Sequence, residues 1–443
     1  MRSTQTLLFI KLTPKRRRTH NPKNSANILL TMHSQIQGLL DAIPDDAAGE
    51  IRRHWGLSDY DALRVTYLPG PGDVAGTFDH WSAGQHDPRV PTIAYSLMFY
   101  ELMKHLGAEC QIIGTHPIGR SEEHSSSPFH FLQVTSKPAS NRWRRIRSQR
   151  EYTRELVQLV AQFDPHVVIA STDVPALSWE ALSRGRRLVL SAHNTFWLMG
   201  DPPRNLKWRI RRMLLSHQAK SLDGAICTSH ECARQISILT AGRIQGEVEC
   251  PQIVQRYPVE ARDHVKRMLF LGRIERSKGI FLLVDTFEKL ATMHPELELL
   301  IAGSGSADGA LKTKLAASPN AKQIKFLGRL GSDAVHSTIA ATDLLVCPTM
   351  SNFNEGLAVV GFEAAAHGIP TVLSSVVPAA ELLGEGCAIY QADNAIALES
   401  TLGGLIADPE TYRKLCAATA LVREKIYDRS LSWSSGLFRT LMK

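Results

Sequence analysis

RMLFLGRIERSKGIFLLVDTF, residues 267–287, reads as one complete structural unit. A short apolar run, RMLFL, has the composition of a strand buried on both faces. The loop GRIERSKG follows, and a helix is predicted from near Lys278. The loop therefore places Gly272, Arg273 and Lys278 between a strand end and a helix start. A helix N-terminus carries about half a positive charge and free N–H groups, and the two cations add full charges beside it. Such a loop is an anion site, suited to a diphosphate. The competing reading leaves Arg273 and Lys278 as surface charges.

The same unit recurs outward from this stretch. LELLIAG, IKFLGRL, LLVCPT and PTVLSS are further strands, alternating with helices predicted from near Ala307, Ser332, Glu355 and Ala379. Upstream, LRVTYL, CQIIGTH, HVVIAST and RLVLSAHN are strands separated by helical stretches, one of them predicted from Pro91. Strands alternating with helices indicate parallel, doubly wound sheets. The expected fold is α/β, with two Rossmann-like domains facing a cleft. A basic extension and N-terminal helix fill 1–57, and the first domain covers 58–255. The second domain covers 256–425, and a C-terminal helix in 426–443 returns to the first. ECPQIVQRYPVE, 249–260, has two prolines and no period, as a linker would. Residues 1–31 have little periodicity and are expected to be disordered, with Met32 an alternative start.

Composition excludes several classes. At 443 residues the chain exceeds what one core usually supports. Its 44% hydrophobic and 21% charged residues are ordinary for a globular protein. No apolar run approaches the roughly 20 residues that span a bilayer, and TLLFIKL is too short for a signal-peptide core. The expected location is cytoplasmic, with peripheral contact at the inner face of the membrane. Seven scattered cysteines make neither a disulfide framework nor a metal site. The net charge of +8 concentrates in NRWRRIRSQR (141–150) and RNLKWRIRRMLL (204–215). Tryptophan among basic residues suits an anionic membrane surface, whereas a solvated helix face is the plainer reading. No nucleic-acid-binding motif accompanies the charge.

Ligands of open α/β sheets bind beyond the carboxyl ends of the strands, so the loops there hold the candidate residues. GPGDVAG contributes Gly70, Gly72 and Gly76; its backbone can approach a phosphate or sugar closely, although it is not expected to open a helix directly. The G-x-G of IAGSGSADG follows the second strand of its domain and reads as a tight turn rather than a dinucleotide fingerprint. RLVLSAHN brings His193 to a strand end facing the cleft. In NEGLAVVGFE, 354–363, Glu355 and Glu363 lie eight residues apart on what is predicted to be one helix. They either decorate that helix or hold a ligand's hydroxyl groups.

GRIERSKG, IAGSG, FLGRL and NEGLAVVGFEAAAHGIPTV, in this order, resemble the retaining GT-B glycosyltransferases of family 4 (glycosyl transferases group 1). By that resemblance Arg273 and Lys278 bind the donor diphosphate, with the amides of Gly356 and Leu357 beside it. Glu355 meets the donor sugar, Glu363 holds the nucleotide ribose, and His193 with the glycine-rich first loop completes the site. The implied function is retaining transfer of a sugar from a UDP- or GDP-sugar to a hydroxyl of a glycan or lipid-linked acceptor. Neither metal nor other cofactor is implied, and no D-x-D stands where a metal–diphosphate site would need it. Another GT-B sugar-nucleotide enzyme such as an epimerase, or a non-catalytic nucleotide-sugar or membrane-surface binding protein, remains open. The first loop and the linker depart from the family's usual pattern, and the resemblance is looser over residues 60–255.

Overall fold

The computed structural model describes residues 38–115, 128–135 and 141–443. The extension read as disordered lies outside the described residues. The first described elements are a single turn at Gly38–Leu40 and the helix Ala47–Trp55.

Two parallel sheets form the body. The first contains β1 (Arg64–Leu68), β2 (Glu109–Gly114), β3 (Phe129–Gln133), β4 (Val167–Ser171), β5 (Arg187–Ala192), β6 (Gly224–Cys227) and β7 (Glu247–Val248). Their order is β3-β2-β1-β4-β5-β6-β7, all pairs parallel. The second contains β8 (Arg267–Leu271), β9 (Glu298–Ala302), β10 (Ile324–Gly328), β11 (Leu344–Cys347), β12 (Thr371–Ser374) and β13 (Cys387–Tyr390), in the order β10-β9-β8-β11-β12-β13. Each sheet reverses direction beside its first strand, between β1 and β4 and between β8 and β11. These are the switch points at which doubly wound sheets open a crevice. The strands β4, β6, β11 and β12 are buried at every residue, as strands covered on both faces must be.

The chain crosses back at its end. Trp433, Leu437, Phe438 and Leu441 of helix Trp433–Leu441 join the core around Tyr67 and Phe99 on one face of the first sheet. The Trp433 ring lies 6.1 Å from that of Tyr67.

Several local expectations change. The helix predicted at Glu355 begins at Val360, because Ala358 takes a left-handed conformation (φ 71°) that an α-helix cannot contain. Glu355 therefore precedes the helix, and of the two glutamates only Glu363 lies on it. GPGDVAG does open a helix, Val74–Ser82, because Asp73 caps it by accepting from the Gly76 amide at 3.0 Å. The helix predicted from Pro91 begins at Tyr95, and Arg276–Lys278 forms one tight turn before the helix Ile280–Met293. The strands β3, β6, β7 and β13 were not anticipated.

Candidate active site

The loops beyond the switch points of both sheets enclose a cavity of about 860 Å³, large enough for a nucleotide-sized ligand. On the second-domain side it is lined by Gly272, Arg273, Lys278, Glu355, Gly356 and Leu357. On the first-domain side it is lined by Gly72 and His193, with Asp73, Arg89 and Tyr95. Gly70, Gly76 and Glu363 do not line it. Gly70 turns the chain in a left-handed conformation, Gly76 completes the helix cap, and Glu363 is buried in the first turn of helix Val360–Ala366.

The GRIERSKG loop is held from beneath by backbone. Ile274 N donates to Ser304 O at 3.1 Å, and Ala307 N donates to Ile274 O at 3.0 Å. Gly303 makes this approach feasible: its φ is 138°, and a Cβ there would collide with the Gly272 carbonyl. IAGSG is thus a tight turn whose work is to support the neighbouring loop. Met350 N donates to Ser277 O at 2.9 Å, joining the same loop to the one that follows β11.

These contacts bring the predicted charges together. Lys278 Nζ forms an ion pair with Glu355 Oε2, which also accepts from Thr349 Oγ1 at 3.2 Å. Lys278 Nζ stands 4.4 Å from the Phe353 ring centre, and the Arg273 guanidinium stands 5.4 Å from the same ring. Phe353 thereby gathers both cations on one wall through cation–π contact. Arg273 also pairs with Glu275 at 2.8 Å. Arg329, beyond β10, adds a third cation to the lining. It lies within the FLGRL motif but was not singled out from the sequence.

Glu363 is nearly inaccessible, and burial alone pushes its carboxyl up to about 7. His193 is also desolvated, which lowers its imidazole to about 4. Gly356 packs so closely on the His193 carbonyl that a Cβ there would overlap it, so the two domains touch at this point. The ionic group on the first-domain wall has no counterpart among the residues read from the sequence. Arg89 pairs with Asp73 and grips Asp87 through Nε and Nη2 at 2.8 and 2.7 Å, while Thr77 Oγ1 donates to Asp87 at 2.8 Å. Burial would raise Asp87, but these bonds outweigh it and hold the carboxyl at about 2. Among the described residues no three His, Cys, Asp or Glu side chains cluster as a metal-binding set.

Two facing Rossmann-like domains with a cation-lined cleft at their switch points define the class: a GT-B glycosyltransferase using a sugar-nucleotide donor. The Glycosyltransferase Family 4 model matches residues 95–239, the Glycosyl transferases group 1 model matches 254–420, and the chain belongs to family 4 of the GT-B glycosyltransferases. A phosphatidyl-myo-inositol mannosyltransferase of Mycolicibacterium smegmatis is 26% identical over 293 residues, covering 63% of this chain and 71% of that protein. Sucrose-phosphate synthase from Thermosynechococcus elongatus superposes with a TM-score of 0.62 at 16% identity, covering 85% and 97% of the two chains. Anabaena HepE in complex with UDP gives 0.58 at 13% identity, covering 83% and 96%. At these identities the two solved structures speak for the fold.

Proposed function

We propose that the protein transfers a sugar from a nucleotide-diphosphate-sugar to a hydroxyl of a glycan or lipid-linked acceptor, with retention at the anomeric carbon and without a metal. The observation that carries this reading is the meeting of Arg273, Lys278 and Glu355 in one cavity wall at the strand ends of the second sheet. Arg273 and Lys278 neutralise the diphosphate, assisted by the amides of Gly356 and Leu357. Glu355 orients the donor sugar; Glu363 does not line the cavity as it stands, so the ribose hydroxyls would meet its carboxylate only on a shift of the first turn of helix Val360–Ala366. As the anomeric C–O bond to the diphosphate breaks, the acceptor oxygen bonds that carbon on the same face and passes its proton to the departing phosphate. No enzymic nucleophile is needed. UDP- and GDP-sugars supplied with and without acceptors test the reading, with product configuration read by NMR. Release of nucleoside diphosphate only with an acceptor, and an unchanged anomeric configuration, is the expected result. Conversion of the donor to an epimer without acceptor would overturn it.

Peripheral contact with an anionic membrane belongs to the same proposal. No helix among the described residues is long and apolar enough to cross a membrane. Helix Leu206–Ala219 nevertheless exposes Leu206 (71%), Ile210, Met213 (65%) and Leu214. Positions 206, 210, 213 and 214 share one helical face, and Lys207, Arg209 and Arg211 flank it. This arrangement suits a helix lying in the headgroup plane of anionic lipid. Trp208 is half-buried under Arg211, so the aliphatic stripe rather than this tryptophan faces outward. The name of the mycobacterial relative, which contains a phosphatidyl lipid, agrees with a lipid-linked acceptor. The protein should sediment with phosphatidylglycerol vesicles at low salt, and Ile210→Glu should abolish this. Equal sedimentation of that variant, or none by the native chain, would remove the membrane contact.

A further inference from the structure

The hydrogen bonds around His193 have a direction that can be assigned atom by atom. The Trp433 Nε1–H can only donate, and it donates to Ser191 Oγ at 2.9 Å. Ser191 Oγ in turn lies 3.1 Å from His193 Nε2. If Nε2 carried the ring proton, the serine oxygen would receive two donors while its own proton found no acceptor among the described residues. If Nε2 is bare, Ser191 donates to it and the run from Trp433 Nε1 through Ser191 Oγ to Nε2 is satisfied, which leaves the ring N–H as the one donor of this group still without a partner among the described residues. The ring proton then sits on Nδ1. That nitrogen is buried and has no protein partner, although its ring lines the cavity. Tyr95 fixes the ring from the side, its own ring centre 4.6 Å away and its hydroxyl donating to Glu249 at 2.7 Å.

We propose that Trp433 and Ser191 are a positioning relay that locks His193 as the Nδ1–H tautomer, so that the imidazole presents a hydrogen-bond donor to an oxygen of the bound sugar. The identity of that oxygen's owner rests on the transferase reading; the tautomer does not. Desolvation keeps the ring neutral at physiological pH, because it disfavours the imidazolium form. The relay starts on helix Trp433–Leu441, which follows the second domain in sequence and packs on the first. The return crossing of the chain thus reaches the site through two hydrogen bonds.

Histidine-selective ¹⁵N NMR on the full chain reads the tautomer directly, with His193→Asn assigning the signal. The expected spectrum shows a protonated Nδ1 and a bare Nε2, unchanged from about pH 8 to about pH 5, where an ordinary exposed histidine titrates. Ser191→Ala should mix the tautomers and lower kcat roughly tenfold, the scale of one lost hydrogen bond, with nucleotide affinity unchanged by calorimetry. Ser191→Thr, which keeps a hydroxyl, should restore the native spectrum and most of the rate; Trp433→Phe should mix the tautomers as Ser191→Ala does. A protonated Nε2 in the native protein, or a native spectrum in Ser191→Ala, overturns the relay. Absence of sugar transfer by the native chain would overturn the transferase reading instead and leave the spectrum standing.

Discussion

On the second-domain wall of the cleft the loops are pinned by backbone, whereas on the first-domain wall they are pinned by side chains. The loop after β8 hangs from the amides and carbonyls of Ile274, Ser304 and Ala307, leaving the Arg273 and Lys278 side chains directed to the cavity. The loop after β1 is held by Arg89, which joins Asp73 to Asp87. Apart from the glycine that the close approach at Gly303 requires, backbone contacts do not depend on side-chain identity, so the first arrangement keeps the shape of its loop whatever side chains surround it. Side-chain contacts change with the residues that make them, so the second arrangement lets a pocket vary between chains of one fold. On the function proposed above, the difference would match a diphosphate on one side and an acceptor on the other.

Lys278→Ala should test that division most severely. The substitution removes the cation from a nearly buried ion pair with Glu355 while leaving the supporting backbone in place. Transfer should fall by about 10²–10³, the usual scale for deleting one electrostatic contact to a developing charge. Circular dichroism should show the fold retained. A loss under tenfold would break the comparison, because the anion would then be held elsewhere.

Glu363→Gln sharpens it through pH. The folded carboxyl is raised from its ordinary 4.5 to about 7 by burial. Below the ordinary value both folded and unfolded states are protonated, and the group costs nothing. As pH rises from 4.5 through 7, the unfolded chain ionises first and the folded state must follow at a cost. Native stability should therefore decline across this window by about 3 kcal/mol at most, and the amide should remove that decline. Thermal melts of both proteins across the window check it. Added nucleotide should restore native stability at high pH if its ribose supplies the missing donors; identical profiles for the two proteins would refute the burial argument.

Gly356→Ala probes where the two walls touch. The new Cβ would meet the His193 carbonyl, forcing the domains apart at the point where they meet across the cleft. A displacement of about 1 Å can cost 10² in rate, and transfer should fall on that scale. Small-angle scattering should record a more open molecule. Unaltered transfer would mean that this contact is released during turnover.

How much of this was legible in the sequence depends on the range of each interaction. Gly272, Arg273 and Lys278 lie within seven residues, so their shared loop could be read from a strand, a glycine and a helix. Both sheets were legible for the same reason, apart from short strands such as β7 with two residues. Glu355 was placed on a helix because NEGLAVVGFE contains no proline; the left-handed Ala358, which delays the helix to Val360, has no local signature. Trp433 and Ser191 are 242 positions apart, beyond any spacing argument. The Arg89 group was missed although Asp87 is two residues away, because nothing local says that Asp73 folds back to meet them.

That group supplies the gentlest test of the two walls. Arg89→Ala should raise the acceptor KM roughly tenfold and leave nucleotide affinity within error, since a single charged contact of this kind contributes about 1.5–3 kcal/mol. Part of that would be absorbed by water entering beside Asp73, where the guanidinium is removed at the cavity edge. Asp87 has no such relief, being 1% exposed. Its carboxyl, held at about 2 by the guanidinium, the Arg89 amide and Thr77, should rise once burial is opposed only by the amide of residue 89 and the hydroxyl. Arg89→Lys separates the contributions: it retains the charge but cannot grip Asp87 through two nitrogens, so its acceptor KM should fall between native and Ala. A KM in Arg89→Lys equal to that of Ala would show that the fork, rather than the charge, orders the acceptor wall. A weakened nucleotide affinity in either variant would mean that the first-domain wall also holds the donor.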